Sequence, residues 1–192
     1  MEQTTCSGRC AGAWSESASN PRPSHGSRTA RVCRPGGRVR PSLVRNLILV
    51  DTWARCDEAA RACFLEWIEA SKAPRGVLQR MVLIRTATPH FVASQPAFVK
   101  FFLAHWPTCS GPVFRKSCQA CADHDAARVL PRIKAPTLVL AGDRDLLVPP
   151  AMSRKLAAGI PGAKLKVIRG GGHVPWLDRP QQTIGAIGRF LK

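Results

Sequence analysis

Two short stretches near the C-terminus hold residues able to do acid–base work. One apolar run, Pro136-Thr137-Leu138-Val139-Leu140-Ala141, opens into Gly142-Asp143-Arg144-Asp145. A second, Leu165-Lys166-Val167-Ile168, opens into Gly170-Gly171-Gly172-His173-Val174-Pro175-Trp176. An imidazole so placed can take a proton from a hydroxyl nucleophile and return it to a leaving group, provided a carboxylate holds its other ring nitrogen. Asp145, with Val148-Pro149 beyond it, is the first candidate for that carboxylate and Asp143 the second. The glycines before His173 let the backbone turn sharply after a strand and aim the ring into a cleft. Spacing and chemistry alone leave another reading open, a loop histidine with two surface aspartates.

Such loops need strands beneath them and helices to cover the strands. Residues 1–42 show no periodicity and are full of breakers (Asn20-Pro21-Arg22-Pro23, His25-Gly26, Pro35-Gly36-Gly37, Pro41), which reads as an irregular, disordered segment. The character changes at Leu43. Asn46-Leu47-Ile48-Leu49-Val50-Asp51-Thr52 is an apolar run between polar ends, the pattern of a parallel strand buried on both faces. Asp57 to Ser71 places Ala60, Cys63, Phe64, Trp67 and Ile68 on one helical face, with Glu58, Arg61 and Glu69 opposite. Arg75 to Thr86, with Val77, Leu78, Met81, Val82 and Ile84, reads as a second helix. Pro96 suits the first turn of a third, running through Phe98, Phe101, Phe102 and His105. A fourth spans roughly Val113 to Val129. Then come a strand over 136–141, a helix over 149–159 with Gly159 as a left-handed stop, a strand over 164–169 and a helix over 180–191. This order predicts an α/β fold: a short parallel sheet of three recognisable strands, flanking helices on both faces, and a helical cap over about 53–133. The one boundary separates 1–42 from 43–192.

The 192 residues suffice for one domain with a core. No run of about 18 apolar residues marks a membrane span, and the N-terminus has no secretory apolar region, so a cytoplasmic protein without membrane partners is expected. A net charge of +17 and a pI near 10.8 raise nucleic acid as a partner. The distribution argues the other way. Residues 1–45 carry arginines at 9, 22, 28, 31, 34, 38, 40 and 45 and no lysine, whereas phosphate binding needs charge more than a guanidinium fork. The eight cysteines, without a secretory signal, read as reduced thiols. Cys118 and Cys121 have half the spacing of a zinc ribbon but lack a second ligand pair, which favours packing. No metal site is expected of these thiols.

At these residues a family resemblance becomes definite. Ile133 to Lys192, with Pro136 to Pro149 and Gly170 to Trp176, resembles the C-terminal part of an α/β-hydrolase, closest to the enol-lactone hydrolase and esterase branch. Pro41 to Trp53 resembles the sixth strand that follows the nucleophile helix, so the likeness covers about residues 41–192. It implies hydrolysis of an ester, lactone or similar acyl bond through a serine acyl-enzyme, with a small-molecule substrate and no metal or organic cofactor. Asp145 would orient His173, and His173 would act as general base and then acid. Trp176, Phe101 and Phe102 are candidates to line the substrate pocket, core packing being the other role open to the two phenylalanines.

The departure from the family concerns the nucleophile. The family presents it in Gly-x-Ser-x-Gly on a strained strand-to-helix elbow, beside a His-Gly loop that helps build the oxyanion hole. That pattern does not occur in this sequence. Ser24-His25-Gly26-Ser27 has suitable residue types but no apolar strand before it, and Ser42 precedes the wrong element. A one-base shift in the codons for Val32 to Arg38 permits Ala-Ala-Gln-Ala-Val-Ala, which resembles a nucleophile helix. The expectation is therefore a truncated hydrolase, inactive alone, whose upstream DNA encodes Gly-x-Ser-x-Gly in another frame. Lacking the nucleophile strand, Leu47 to Val50 would present an unpaired apolar edge and the fold would be marginally stable. The rival readings are a non-catalytic binding protein that reuses the fold and, further off, nucleic-acid binding through the arginine-rich arm.

Overall fold

A computed structural model describes residues 44–74, 76–106 and 111–192. The segment 1–42, with Ser24, Ser42 and the reading-frame expectation, lies outside the described residues.

Three parallel strands form one sheet in the order β1-β2-β3: β1 (Leu47–Val50), β2 (Thr137–Gly142) and β3 (Lys164–Ile168). β2 is central, pairing Leu47 with Thr137 on one side and Leu138 with Lys164 on the other. All six β2 residues are buried, as expected of a Val/Leu-rich run covered on both faces. β1 is shorter than the 46–52 run because Asp51 leaves the extended region, with φ at 44°. The short sheet is thus the one read from the sequence, and all three strands point their C-terminal ends the same way.

Between β1 and β2 lies the helical insert. It comprises α1 (Glu58–Ala70), α2 (Val77–Thr86), α3 (Pro89–Ser94), α4 (Pro96–His105) and α5 (Gly111–Ala122), followed by a 3-10 turn over Ala127–Arg132. The Asp57 carboxylate caps α1 by accepting the Ala60 N–H, and the buried face is Ala60, Cys63, Phe64, Trp67 and Ala70. α1 packs on α5, and Trp53, Phe64, Trp67, Phe114, Cys118 and Cys121 share their core. Burial pushes the Cys121 thiol up to about 12, and the nearby Cys118 and Cys56 add to that, so this thiol stays protonated inside the core.

Several expectations are corrected here. The helix expected from Pro96 is there as α4, but the short α3 before it was not expected; Gln95 leaves helical geometry between the two (φ −127°, ψ 54°). The helix expected over 113–129 ends at Ala122. Val77 and Ile84, two of the apolar residues named in the second helix, are exposed, whereas the polar Gln79 is buried. Its side-chain carbonyl accepts the Gly76 N–H and its amide donates to the Trp106 carbonyl.

After β2 come α6 (Pro150–Gly159), β3, the short α7 (Pro175–Asp178) and α8 (Pro180–Leu191). Gly159 is not a left-handed stop. It is the last helical residue, and a Cβ there would lie 2.6 Å from Leu130 Cδ1, so its smallness serves packing. Two apolar layers sandwich the sheet. Leu47, Leu49, Val139, Leu156 and Ile160 fill one, and Val50, Leu138, Leu140, Ile168 and Ala186 the other. No described helix is long and apolar enough to cross a membrane.

Candidate active site

The C-terminal ends of the strands converge on one buried polar cluster. β2 delivers the loop with Asp143 and Asp145; β3 delivers the loop with His173. His173 Nδ1 lies 2.9 Å from Asp145 Oδ2. Both residues are buried, His173 5% and Asp145 3% exposed, so solvent screens the pair weakly. The other Asp145 oxygen, Oδ1, accepts the backbone N–H groups of Leu147 and Val148, each at 2.8 Å. A carboxylate fixed by two backbone donors cannot swing away from the ring, and the ring nitrogen facing it is the one that carries the proton when the imidazole is neutral. Nε2 is then left as the basic nitrogen.

Asp143 takes a different post. Its Oδ1 accepts the Gly170 N–H at 2.6 Å, tying the acid loop to the histidine loop. Of the two aspartates that the sequence left open, Asp145 is the one against the ring.

The glycines explain how two loops approach so closely. A Cβ on Gly142 would sit 2.3 Å from the carbonyl oxygens of Gly171 and Gly172, a collision with backbone that only a shift of the loops relieves. Gly170 adopts φ +75°, the left-handed region that other residues enter at a cost. Arg144 N–H donates to the Gly171 carbonyl, and Asp143 N–H to the Ile168 carbonyl, completing the junction.

Two buried carboxyls near the pair escaped the sequence reading. Asp51, fully buried at the end of β1, accepts the Gly142 N–H through Oδ1. Among the described residues its Oδ2 has no hydrogen-bond partner. Burial raises its pKa well above the ordinary carboxylate value, and the neighbouring charges of Asp145 and Asp178 push the same way, against the Gly142 hydrogen bond. The fold therefore favours the protonated form of Asp51 more than water does. Asp178, at the end of α7, accepts the Thr88 hydroxyl at 2.7 Å and the Gly172 N–H at 2.8 Å. A polar residue ending an apolar strand was the available signal for Asp51. The Asp178–Thr88 contact spans 90 residues and had none.

The aromatic candidates are dispersed. Trp176 is half-buried and packs with Val50, Leu140 and Ile168 on one face of the sheet. Phe102 stacks on Trp106 (5.2 Å) at the margin of the insert's core. Phe101 is 61% exposed and stacks on His105 (4.4 Å). Among the described residues no group of three or more His, Cys, Asp or Glu side chains is arranged to hold a metal ion.

Comparison with known proteins fits this geometry. Residues 34–180 match the family described as the alpha/beta hydrolase fold. The chain is 30% identical over 136 residues to the pimeloyl-(acyl-carrier protein) methyl ester esterase of Xanthomonas oryzae, covering 70% of this chain and 54% of that protein. It is 28% identical over 158 residues to a candidate carbamate hydrolase, RutD, of Pseudomonas syringae, covering 80% and 60%. The enol-lactonase of Burkholderia xenovorans superposes with a TM-score of 0.70 at 23% identity, over 77% of this chain and 56% of that one, a likeness of fold. The chain thus spans between half and two-thirds of the length of these relatives.

Proposed function

Because the chain belongs to the α/β-hydrolase fold family, we propose that Asp145 and His173 are the acid and the general base of an acyl-hydrolase site acting on a small-molecule ester or lactone. The observation that carries this reading is the buried 2.9 Å contact of His173 Nδ1 with Asp145 Oδ2, which leaves Nε2 free to accept a proton. In the reaction, Nε2 takes the hydroxyl proton as the nucleophile attacks the acyl carbon. The resulting imidazolium is stabilised by Asp145 and returns the proton to the leaving oxygen; water then repeats the cycle on the acyl-enzyme. Asp143 and Gly142 hold the two loops together while this charge appears and disappears. Trp176, Phe101 and Phe102 are offered as apolar contacts for the substrate, and a cytoplasmic location goes with the reading.

The nucleophile belongs to the part of the proposal that reaches beyond residues 44–192. Gly-x-Ser-x-Gly does not occur in the sequence, so the chain alone is expected to turn over little. The test is hydrolysis of a p-nitrophenyl ester by the purified chain, with labelling by a fluorophosphonate that marks activated serines. Expected are no labelling and no turnover above that of His173→Ala. Labelling together with turnover on the order of 1 per second or faster, abolished by His173→Ala, would place a working nucleophile within the chain and overturn its assignment elsewhere. Ligand binding without any such turnover, unaffected by His173→Ala and Asp145→Ala, would favour a non-catalytic binding protein.

A further inference from the structure

Asp178 is buried, five residues after His173, on the short α7, and has no part in the proton transfer described above. Both its oxygens are nevertheless committed. Oδ2 accepts the N–H of Gly172, the residue immediately before the histidine. Oδ1 accepts the hydroxyl of Thr88, which caps α3 in the helical insert by accepting the Phe91 N–H. Two residues back, at the end of α2, the Thr86 carbonyl accepts the N–H of His173 itself at 3.1 Å. The backbone on both sides of the Gly172–His173 peptide is therefore gripped, from α7 and from the insert. There is no slack in this grip: a Cβ on Gly172 would lie 3.0 Å from Asp178 Oδ2, 3.0 Å from the Thr86 carbonyl and 3.1 Å from Thr88 Cγ2.

We infer that Asp178 is a positioning residue for His173, fastening the histidine loop to the α2–α3 corner of the insert through Gly172 and Thr88. The inference rests on the reading of His173 as the general base, since it says what keeps that ring on Asp145. The carboxylate form suits the post. It supplies two acceptors on one rigid fork, and the two donors it meets, a backbone N–H and a hydroxyl, come from segments that share no other element. A consequence follows for the insert. Displacement of the α2–α3 corner, as when a ligand enters beneath it, pulls on the peptide that carries the catalytic imidazole.

The test uses amide hydrogen exchange and the His173 ring N–H resonance in the full chain. Asp178→Ala is expected to speed exchange at Gly172 and His173 by roughly tenfold or more, the factor that goes with one lost hydrogen bond. Amides in β2 should keep their protection, and the ring Nδ1–H signal should broaden or vanish. Asp178→Asn keeps one acceptor for Gly172 and turns its amide to the Thr88 oxygen, so it should restore most of both readouts. Thr88→Val, which removes the insert's side of the link, should also accelerate Gly172 and His173. Unchanged exchange and an unchanged ring signal in Asp178→Ala, with only a lower melting temperature, would overturn the inference. If that variant does not fold, Thr88→Val decides, and its failure to accelerate these two amides is the contrary result. Absence of the ring signal from the wild type would count against the Asp145–His173 reading, while the exchange data would still decide for or against Asp178.

Discussion

At the residue scale the cluster is a problem in placing negative charge. Asp51, Asp145 and Asp178 are all buried and feel one another's charge, and among the described residues none of the three is ion-paired with a lysine or arginine. Asp145 receives three donors and Asp178 two; Asp51 receives one, and burial raises its pKa well above the ordinary carboxylate value. Its raised pKa makes a prediction with a definite sign. In the unfolded chain Asp51 ionises in the ordinary carboxylate range, whereas in the fold it holds its proton to higher pH. The folded state thus binds more protons in that window, and stability falls as pH climbs through it, by at most about 1.4 kcal/mol per pH unit. Asp51→Asn, which keeps an acceptor for the Gly142 N–H, should remove this decline. Melting curves of both proteins from pH 4 upward should diverge, with the variant gaining as pH rises; parallel curves would mean that Asp51 titrates alike in the folded and unfolded chain. Gly142→Ala is a second residue-scale prediction. A methyl group 2.3 Å from two carbonyl oxygens should cost several kcal/mol, about 3 or more, in urea unfolding and should separate the acid loop from the histidine loop.

At the element scale, the parts of the site written in contiguous sequence were legible and the parts written across it were not. Strand-then-acid and strand-then-histidine could be read because an apolar run and its glycine-containing loop sit side by side in the chain. The same holds for Pro96 opening α4 and Asp57 capping α1. The choice between Asp143 and Asp145 needed the loop's path in space, since both are acids and only their backbone donors separate them. Asp51 reads as the polar end of a strand until its burial is known. The split of 89–105 into α3 and α4 depends on one residue, Gln95, and the exposure of Ile84 depends on which face of α2 meets its neighbours. The insert's core carries the prediction for this scale. Phe64 is buried between Trp53 and Trp67, with ring centroids 5.6 and 5.5 Å away. Phe64→Ala should therefore destabilise by about 3–5 kcal/mol in urea unfolding, with loss of near-ultraviolet dichroism from the tryptophans. A change under about 1 kcal/mol would mean that α1 and α5 are not packed as described.

On the scale of the whole molecule, three strands among the described residues bear two apolar layers and a five-helix insert. β1 lies at the end of the sheet order, and among the described residues its only strand partner is β2. Leu47, Leu49 and Val50 are buried there, so the backbone edge of β1 runs beside the core. A strand edge of this kind templates pairing with another chain. Light scattering should accordingly rise with protein concentration, and a lysine at the half-buried Ile48 should slow that rise. Concentration-independent behaviour of both proteins would show that the edge is covered. The relatives explain why the question arises, for the chain spans 54–60% of the length of the esterase and the candidate carbamate hydrolase it matches. Fold, strand order and the acid–histidine contact are all contained in that share.

The central claim, that Asp145 holds His173 as a general base, is tested most directly by the nitrogen-15 spectrum of the His173 ring. At a pH where the ring is neutral, the account predicts a single tautomer with the proton on Nδ1 and a bare Nε2, replaced by a mixture in Asp145→Ala. A wild-type ring protonated on Nε2, or a spectrum that Asp145→Ala leaves unchanged, would contradict it.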